Sequence, residues 1–274
     1  MLRLWRDQVR IALCPDRVIT TRYKAGLRPS IVAKNIQKYS GADAGWQAAL
    51  HMLEAVLKNP DWQNSDATLI LSNHFIRFLM LPWSDVDLDE AETHSLLQER
   101  FIEVYGESSE IWDLRLNQGE FGFPSLACAM QTSMLEQIKS AFTASSVKLK
   151  SIQPYLMTAF NLCRKNLGKG TAWFILAEQG IFCVGLLHKG RWQRIKLRVT
   201  EQEGLDEAIR VLEREMLLAD RGAENSKVFL YSPEHPVYSP ITRDGLVIHP
   251  LLVRQLPSFS EKESGAYAMA AAGV

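Results

Sequence analysis

Residues 69–83 read Leu-Ile-Leu-Ser-Asn-His-Phe-Ile-Arg-Phe-Leu-Met-Leu-Pro-Trp, two apolar segments joined by a short polar link. The first segment lies in a short buried strand predicted over residues 67–72, since a brief apolar run without helical spacing is typical of such strands. The second predicts a strand from His74 to Leu81, which Pro82 ends because proline has no backbone N–H to donate. At this point the chain passes directly from one structural unit into another.

The sequence before this stretch predicts three strands and one helix. Val9, Ile11 and Leu13 alternate with other residues, as expected for a half-buried strand. An amphipathic pattern begins at Trp46 and stops at Asn59-Pro60, which indicates a helix end. The order is therefore β-β-β-α-β. The predicted elements are strands over 8–13, 17–23, 30–39 and 67–72 and a helix over 46–57.

The second half of the chain repeats this order. Residues 171–199 predict two or three strands, and a helix with one apolar face follows from residue 205. Residues 227–231 then predict a short buried strand. Counted from the first residue of the helix, 22 residues lead into the final strand in both halves, from 46 to 68 and from 205 to 227, although no side-chain pattern repeats. The chain is therefore predicted to form two similar lobes.

A third region lies between the halves. Asp87 followed by Glu90 predicts a capping box that opens a helix ending near Tyr105, and Ser133 with Glu136 predicts a second capped helix. This region therefore combines strands and helices in an α+β unit. The other predicted elements are strands over 111–116, 126–130 and 147–152 and a helix over 155–167 that leads into the second half.

Connections between the predicted elements are short, so no disordered linker divides the chain. The segment from about Pro257 is the one stretch expected to be loosely held, although residues 267–270 favour a short helix. The predicted units are a first lobe over 1–74, an inserted subdomain over 75–153 and a second lobe over 154–274.

Composition indicates a soluble protein with no affinity for nucleic acid. The chain has 274 residues, and its 31 Lys and Arg balance its 31 Asp and Glu, so no excess of positive charge favours nucleic acid. Its apolar runs are far shorter than the roughly 20 residues of a membrane span, and its beginning does not resemble a signal peptide. The four cysteines form no C-x-x-C pair, which favours buried thiols in a reducing compartment.

Charge is balanced overall but segregated along the chain. Residues 1–40 hold nine basic and two acidic residues, residues 81–113 hold ten acidic and one basic, and residues 164–198 hold eight basic and one acidic. These runs are either solvated faces or docking patches for oppositely charged partners. The densest acidic cluster predicts a partner site that takes a basic protein or the basic face of a second copy. Its residues are Asp85, Asp87, Asp89, Glu90 and Glu92.

Local motifs for catalysis are absent. No two histidines or cysteines stand at metal-ligand spacing, so no metal site is predicted. The chain also lacks the G-x-S-x-G, Walker and G-x-G-x-x-G motifs. Because catalytic triads can be dispersed in a sequence, an unrelated α/β enzyme with a dispersed site stays open as an alternative.

The first hairpin turn of each half decides how well phosphate could bind. In the first half the turn is Cys14-Pro15-Asp16-Arg17, where Pro15 removes a backbone N–H that a phosphate would receive. In the second half the turn contains Glu178 and Gly180, and Gly180 fits a tight turn. The first turn is therefore poorly suited to a nucleotide.

The order of elements is similar to the actin-like ATPase architecture, whose two β-β-β-α-β lobes carry an inserted region in the first half. Within it, the chain resembles PilM-type proteins of type IV pilus assembly and the cytoplasmic domain of GspL-type proteins of type II secretion. Residues 69–83 look like the strand pair that enters the inserted subdomain, and Gln153-Pro154-Tyr155-Leu156 closes that subdomain. The resemblance covers nearly the whole chain and implies an α/β fold of the actin-like (RNase H-like) type.

The nucleotide signatures of that architecture are degenerate here. The resemblance implies phosphate contacts at the two hairpin turns, where this chain offers only Asp16 in the first and Glu178 and Gly180 in the second. The strand that reaches adenosine normally runs into a glycine pair, whereas residues 227–231 run into Ser232-Pro233-Glu234. We therefore expect a scaffold that has lost ATP hydrolysis.

The resemblance implies a cytoplasmic, non-catalytic adaptor of a pilus or secretion-type inner-membrane assembly, located in the cytoplasm or peripherally at the inner membrane. It implies protein partners, with a homo-oligomer as an option, no nucleic acid and no membrane span of its own, as in the PilM type. No cofactor is expected. The alternative is an active actin-like ATPase or small-molecule kinase that binds ATP and magnesium.

Overall fold

The computed structural model describes residues 6–26, 30–40, 45–86, 88–200, 205–219, 226–243, 245–252 and 259–272. The strands are β1 (Gln8–Leu13), β2 (Arg17–Lys24), β3 (Ser30–Lys38), β4 (Asp66–Leu71), β5 (Arg77–Leu81), β6 (Trp112–Asn117), β7 (Ser125–Gln131), β8 (Lys148–Pro154), β9 (Thr171–Glu178), β10 (Ile181–His188), β11 (Arg191–Val199), β12 (Lys227–Tyr231), β13 (Ile241–Arg243) and β14 (Leu246–Pro250). The helices are α1 (Trp46–Lys58), α2 (Glu90–Tyr105), α3 (Thr132–Thr143), α4 (Tyr155–Cys163), α5 (Leu205–Leu217), α6 (Glu261–Ala266) and α7 (Ala268–Ala271).

Two sheets of the same topology form the two lobes. The first has the order β3-β2-β1-β4-β8, and the second has the order β11-β10-β9-β12-β14-β13. In each sheet the first two strands form an antiparallel hairpin, and the first strand then pairs in parallel with the strand that follows the crossover helix. The predicted duplication of β-β-β-α-β lobes is confirmed.

The two lobes also share the details of their first hairpin. A short turn joins the strands in each case, Cys14-Pro15-Asp16 between β1 and β2 and Gln179-Gly180 between β9 and β10. The carbonyl of Asp16 accepts a hydrogen bond from the N–H of Tyr39 at 2.9 Å, and the carbonyl of Gly180 accepts one from Thr200 at 3.0 Å. Both donors directly follow the third strand of their lobe, so the turns are equivalent in structure although their sequences differ.

A separate three-stranded sheet, β5-β7-β6, forms the inserted region with α2 packed on it. Phe101 of α2 is fully buried and contacts the ring of Trp112 at a centroid distance of 6.3 Å. α3 packs instead against α1 of the first lobe. The insert therefore has a small core of its own and is also fastened to the first lobe.

Two predicted capping boxes were wrong. The N-cap of α2 is Asp89, whose carboxylate accepts from the N–H of Glu92 at 2.8 Å, so the box begins two residues later than predicted. Asp87 itself lies outside the described residues. α3 begins at Thr132 and has no side-chain cap, so Ser133 with Glu136 does not open it. An i, i+3 pair of this type is common within helices, and sequence alone does not separate it from a cap.

The C-terminal segment is not loosely held, contrary to the prediction for the part that the structure describes, residues 259–272. Phe259, Tyr267 and Met269 are buried in the main core. α7 lies against β1 and β2 of the first lobe, and Arg10 of β1 donates to the carbonyl of Ala272 at 2.8 Å. Helices of six and four residues are too short to show a periodic apolar stripe, so their burial depends on tertiary packing.

Two elements pack on a different unit from the one to which the predicted ranges 1–74, 75–153 and 154–274 assign them. β8 lies in the range of the insert but pairs with β4 in the first sheet. α7 lies in the range of the second lobe but packs on the first. One hydrophobic core therefore runs through both lobes, with Leu13 and Leu71 on one side and Phe174 and Leu176 on the other.

All four cysteines are free thiols, as predicted. Cys14, Cys163 and Cys183 are buried, and Cys128 is half-buried. Burial raises the pKa of Cys128 to about 11 and that of Cys163 to about 12, so neither forms a reactive thiolate at neutral pH. Within the described ranges, no helix combines the length and the apolar character needed to span a bilayer.

Candidate functional site

The two hairpin turns predicted to touch phosphate face each other where the lobes meet. Arg17, at the end of the first turn, donates from Nη1 to the side-chain oxygen of Gln179 in the second turn at 2.8 Å. Asp16 lies beside it and accepts from the same guanidinium at 2.9 and 3.0 Å. The structure therefore brings together Asp16, Glu178 and Gly180, the three residues that the sequence predicted to share a site.

Glu178 is held by the opposite lobe. Its carboxylate accepts a short hydrogen bond from the hydroxyl of Ser72 on one oxygen. The other oxygen accepts from the backbone N–H of Asn73 at 3.2 Å and from its side-chain amide at 3.0 Å. Ser72 and Asn73 directly follow β4, so the polar link of residues 72–74 fastens the end of one lobe's central strand to the other lobe's turn.

The environment of Glu178 disfavours its charge. The residue is 7% exposed. Burial raises its pKa above the ordinary value, while the hydrogen bonds from Ser72 and Asn73 and the charge of His74 partly offset that effect. Three protein donors occupy the carboxylate, so it is placed as a structural acceptor between the lobes.

His74 covers the second turn. Its Nε2 atom lies 2.8 Å from the carbonyl oxygen of Gln179. Gly180 has φ +72°, which glycine adopts without strain, and a Cβ built there would lie 3.5 Å from Cε1 of His74. The ring therefore packs directly on the turn that the sequence predicts to face a phosphate.

Asn73 ties a third element to the junction. Its side-chain oxygen accepts from the N–H of Leu156 at 3.1 Å, in the first turn of α4. This contact satisfies one of the N–H groups that a helix leaves without an internal partner at its start. One asparagine thus joins β4, α4 and the turn of Glu178.

The reverse contact runs from the second lobe to Arg17. Glu234, in the loop after β12, accepts a short hydrogen bond from Nη2 of Arg17. Arg17 is 8% exposed. Burial alone lowers its pKa, but the nearby carboxylates of Glu234 and Asp16 raise it above the ordinary value. The guanidinium is therefore permanently charged and neutralised by its own chain.

The two sets of contacts are related by the duplication. In each lobe the loop after the central parallel strand reaches the hairpin turn of the other lobe: residues 72–73 reach Glu178, and Glu234 reaches Arg17. We call these contacts, together with the bond from Arg17 to Gln179, the clasp. It fills the junction with paired charges and satisfied hydrogen-bond donors.

Sequence reasoning missed part of the clasp. Arg17 was part of the quoted turn but was not assigned a role, and Ser72 and Asn73 served only as a link between strands. The sequence did contain an indication for Ser72 and Asn73. Residues 72–74 are polar and stand between two apolar strands, and buried polar side chains need hydrogen-bond partners. The partners lie more than one hundred positions away in the chain, so only the fold reveals them.

The clasp offers little to a phosphate or a metal ion. Pro15 has no N–H, the N–H of Asn73 already donates to Glu178, and both nearby charges are paired. Among the side chains that the structure describes, no group of three or more His, Cys, Asp and Glu could hold a metal ion. The loop after β12 carries Pro233, and its carbonyl oxygen lies close to Gly265. A Cβ built on Gly265 would be 2.3 Å from that oxygen.

The acidic cluster lies elsewhere, at the start of α2. Asp89 and Glu92 form the capping box of that helix, with reciprocal bonds of 2.8 and 2.9 Å, so two of the five carboxylates have a structural role. Asp85 and Glu90 are exposed, and Asp87 is outside the described residues. That this cluster binds a partner stays a prediction.

Comparison with known proteins gives a fold but no sequence family. No protein-family model matches the chain, and no curated protein matches it in sequence.

Solved structures do match the fold of this chain. The PilM–PilN type IV pilus biogenesis complex aligns over 97% of this chain and 96% of its own, with 10% identity and a TM-score of 0.66. The cytoplasmic domain of EpsL, an inner-membrane component of the type II secretion system of Vibrio cholerae, aligns over 98% and 96%, with 9% identity and a TM-score of 0.60.

A third match carries the name of the fold. A Bacteroides thetaiotaomicron protein with an actin-like ATPase fold and unknown function aligns over 82% of this chain and 81% of its own, with 11% identity and a TM-score of 0.56. The chain therefore has the actin-like ATPase fold, as predicted.

Proposed function

We propose that the chain is a non-catalytic adaptor of a pilus or secretion-type inner-membrane assembly. The observation that carries this proposal is the clasp, in which the groups that an actin-like ATPase would turn toward a nucleotide are bonded to the opposite lobe.

The energetics of the clasp favour a closed junction. A nucleotide that entered between the turns would have to displace Ser72 and Asn73 from Glu178 and separate Arg17 from Glu234. Each buried polar group left without a partner costs about 1–3 kcal/mol. A phosphate would also meet the carboxylates of Glu234 and Asp16, which repel an anion.

The assembly role rests on the structural likenesses. Two of the matching structures, a PilM–PilN complex and the cytoplasmic domain of an inner-membrane component of type II secretion, share the fold over nearly their whole length. We propose that this chain also works at the cytoplasmic face of an inner membrane and binds protein partners. No cofactor is needed for such a role.

The alternative is an active actin-like ATPase or small-molecule kinase. The observation in its favour is that Asp16, Glu178 and Gly180 do meet at the lobe junction, as nucleotide ligands of this fold would. It requires that the clasp open, so that Glu178 exchanges its protein donors for a ligand.

A genetic replacement separates the two functions. In the source bacterium, deletion of the gene should abolish pilus assembly or type II secretion, and replacement by Glu178→Gln should leave it intact. Glutamine keeps the shape of the side chain and one acceptor oxygen for the two N–H donors of Asn73, and its amide NH2 can donate to the hydroxyl oxygen of Ser72. It cannot serve as a general base.

Two results would contradict the proposal. If the Glu178→Gln strain is as defective as the deletion while protein levels are normal, the ATPase alternative is favoured. If the deletion leaves both pili and secretion normal, the assignment to such an assembly is wrong.

A further inference from the structure

The free end of the insert exposes aromatic side chains. We call this end the tip, and define it as Trp83, which follows β5, together with the loop of residues 118–124 between β6 and β7. Leu81 of β5 pairs with Ser125 of β7, so the two parts of the tip lie side by side. Trp83 is 43% exposed and Phe121 is 89% exposed. Their rings meet edge to face at a centroid distance of 5.1 Å and therefore form one apolar surface.

The loop that presents Phe121 is closed tightly by its own backbone. The N–H of Gly119 donates to the hydroxyl of Ser125 at 2.9 Å. A Cβ built on Gly119 would lie 2.5 Å from the carbonyl oxygen of Pro124, so the two ends of the loop are in close contact. An ordered loop thus holds a large aromatic ring in solvent. Rings exposed in this way are typical of the anchors of protein interfaces.

The second lobe places positive charge beside the tip. The guanidinium of Arg191, the first residue of β11, lies 4.3 Å from the centroid of the Phe123 ring, so the β10–β11 turn touches the tip. Lys189 of that turn is exposed, and its N–H donates to the carbonyl of Gly170 at 3.2 Å. This bond brings the exposed Lys169 next to it. Neither lysine forms an ion pair with a carboxylate that the structure describes. We call Lys169 and Lys189 the basic flank.

The insert itself places negative charge beside the tip. Asp85, two residues after Trp83, and Glu90, in the first turn of α2, are both exposed, and we call them the acidic flank. Glu120 of the tip is neutralised by its ion pair with Arg191. α2 packs on the three-stranded sheet of the insert, whereas the basic flank belongs to the second lobe. The two flanks therefore approach the aromatic centre from different elements.

A surface with an apolar centre between an acidic and a basic flank complements itself. When two copies meet tip to tip about a two-fold axis through the aromatic centre, the acidic flank of each copy faces the basic flank of the other. Val86, which is 62% exposed, adds apolar area to such a contact. A lipid surface fits less well, because anionic headgroups would repel the acidic flank.

We propose that the protein forms a two-fold dimer through the tip, in which Trp83 and Phe121 of each copy pack against those of the other. Asp85 of one copy lies opposite the partner's Lys189, and the same contact recurs on the other side of the axis. The tip is small, so we expect a dissociation constant in the micromolar range. The dimer goes beyond the adaptor function, since it would bring two adaptors together in one assembly.

Removal of the central ring tests the apolar contact. Sedimentation equilibrium of the full chain measures the dissociation constant of the dimer. Phe121→Ser should weaken self-association by at least about tenfold, because the interface loses the central ring of both copies. Val32→Ser is the control, since it removes an exposed apolar side chain from β3 at the far edge of the first sheet. It should leave the dissociation constant unchanged.

Charge exchange tests the pairing of the flanks. Lys189→Glu and Asp85→Lys should each weaken self-association several-fold at low salt, since each sets like charges against one another at two symmetric contacts. An equimolar mixture of the two should associate as tightly as wild type, because both contacts in that heterodimer again join opposite charges. Lys58→Glu changes an exposed lysine on α1 of the first lobe and should have no effect. Equal thermal unfolding of all variants shows that the fold is intact.

Three results would overturn the proposal. These are a wild-type protein that stays monomeric at every concentration, a dimer that Phe121→Ser leaves equally tight, and a mixture that fails to regain association. Binding of the monomer to vesicles of phosphatidylethanolamine and phosphatidylglycerol that Phe121→Ser abolishes would likewise assign the tip to a lipid surface. None of these measurements involves nucleotide, pili or secretion, so the dimer and the adaptor function can fail separately.

Discussion

At the scale of single residues, the role of Glu178 in the structure differs from the role that the sequence predicts. Its position in the second hairpin turn makes it resemble a nucleotide ligand, and the structure places that turn at the junction of the two lobes. Its donors, Ser72 and Asn73, come from the other lobe. A residue's position in a duplicated fold is therefore predictable from the sequence, whereas its partners are not.

The stability of the protein should depend on the charge of Glu178. Burial raises the pKa of this carboxyl, so the folded chain keeps a proton at pH values where the unfolded chain has released it. The free energy of unfolding therefore falls as the pH rises from the unfolded value of 4.5 toward the raised folded value. Glu178→Gln removes this dependence while keeping a side chain of similar shape.

Denaturant unfolding of both proteins from about pH 5 to pH 8 measures the effect. The stability of the Glu178→Gln variant relative to wild type should increase with pH. Glu178→Asp, which retains a carboxyl, serves as the titrating control. A difference between wild type and Glu178→Gln that is constant or decreases with pH would show that Glu178 is not a buried acid of raised pKa.

At the scale of elements, the amphipathic helices, the alternating strands and a short helix over residues 267–270, close to α7, were predicted. The helix α6 and the burial of the C-terminal segment were not. α1 shows its buried face as a regular stripe that includes Leu50, Leu53 and Leu57. α7 consists of four residues, Ala-Met-Ala-Ala, which give no stripe. It is held by contacts with β1 and with the residue that follows this strand. The thiol of Cys14 lies 3.5 Å from the sulfur of Met269.

Because α6 packs closely on the loop after β12, Gly265 should not tolerate a side chain. A Cβ at Gly265 would lie 2.3 Å from the carbonyl oxygen of Pro233. This is a clash with a backbone atom, so the backbone has to move to relieve it. Gly265→Ala should therefore destabilise the protein by about 1–3 kcal/mol, the usual effect of overpacking. Gly170→Ala is the matched control, because no atom lies within 4 Å of a Cβ there. Equal unfolding free energies for the two variants would mean that the C-terminal segment is not packed as described.

At the scale of the whole molecule, element order was enough to predict the fold. The equal spacing of helix and strand in both halves indicated two similar lobes, and the sheets have equivalent strand orders. The closed junction could not be predicted in the same way, because the clasp joins residues such as Arg17 and Glu234 that are 217 positions apart. Pro15 in the first turn and Pro233 after β12 predict poor nucleotide binding, and the clasp is a second physical argument for that prediction.

Calorimetric titration with ATP, with and without magnesium, tests the central claim most directly. With the lobes held together by Glu178 and Arg17, no binding tighter than about 1 mM is expected in either condition, which corresponds to about 4 kcal/mol. Micromolar binding that requires magnesium, together with ATP turnover that Glu178→Gln abolishes, would contradict the account of a closed, non-catalytic scaffold.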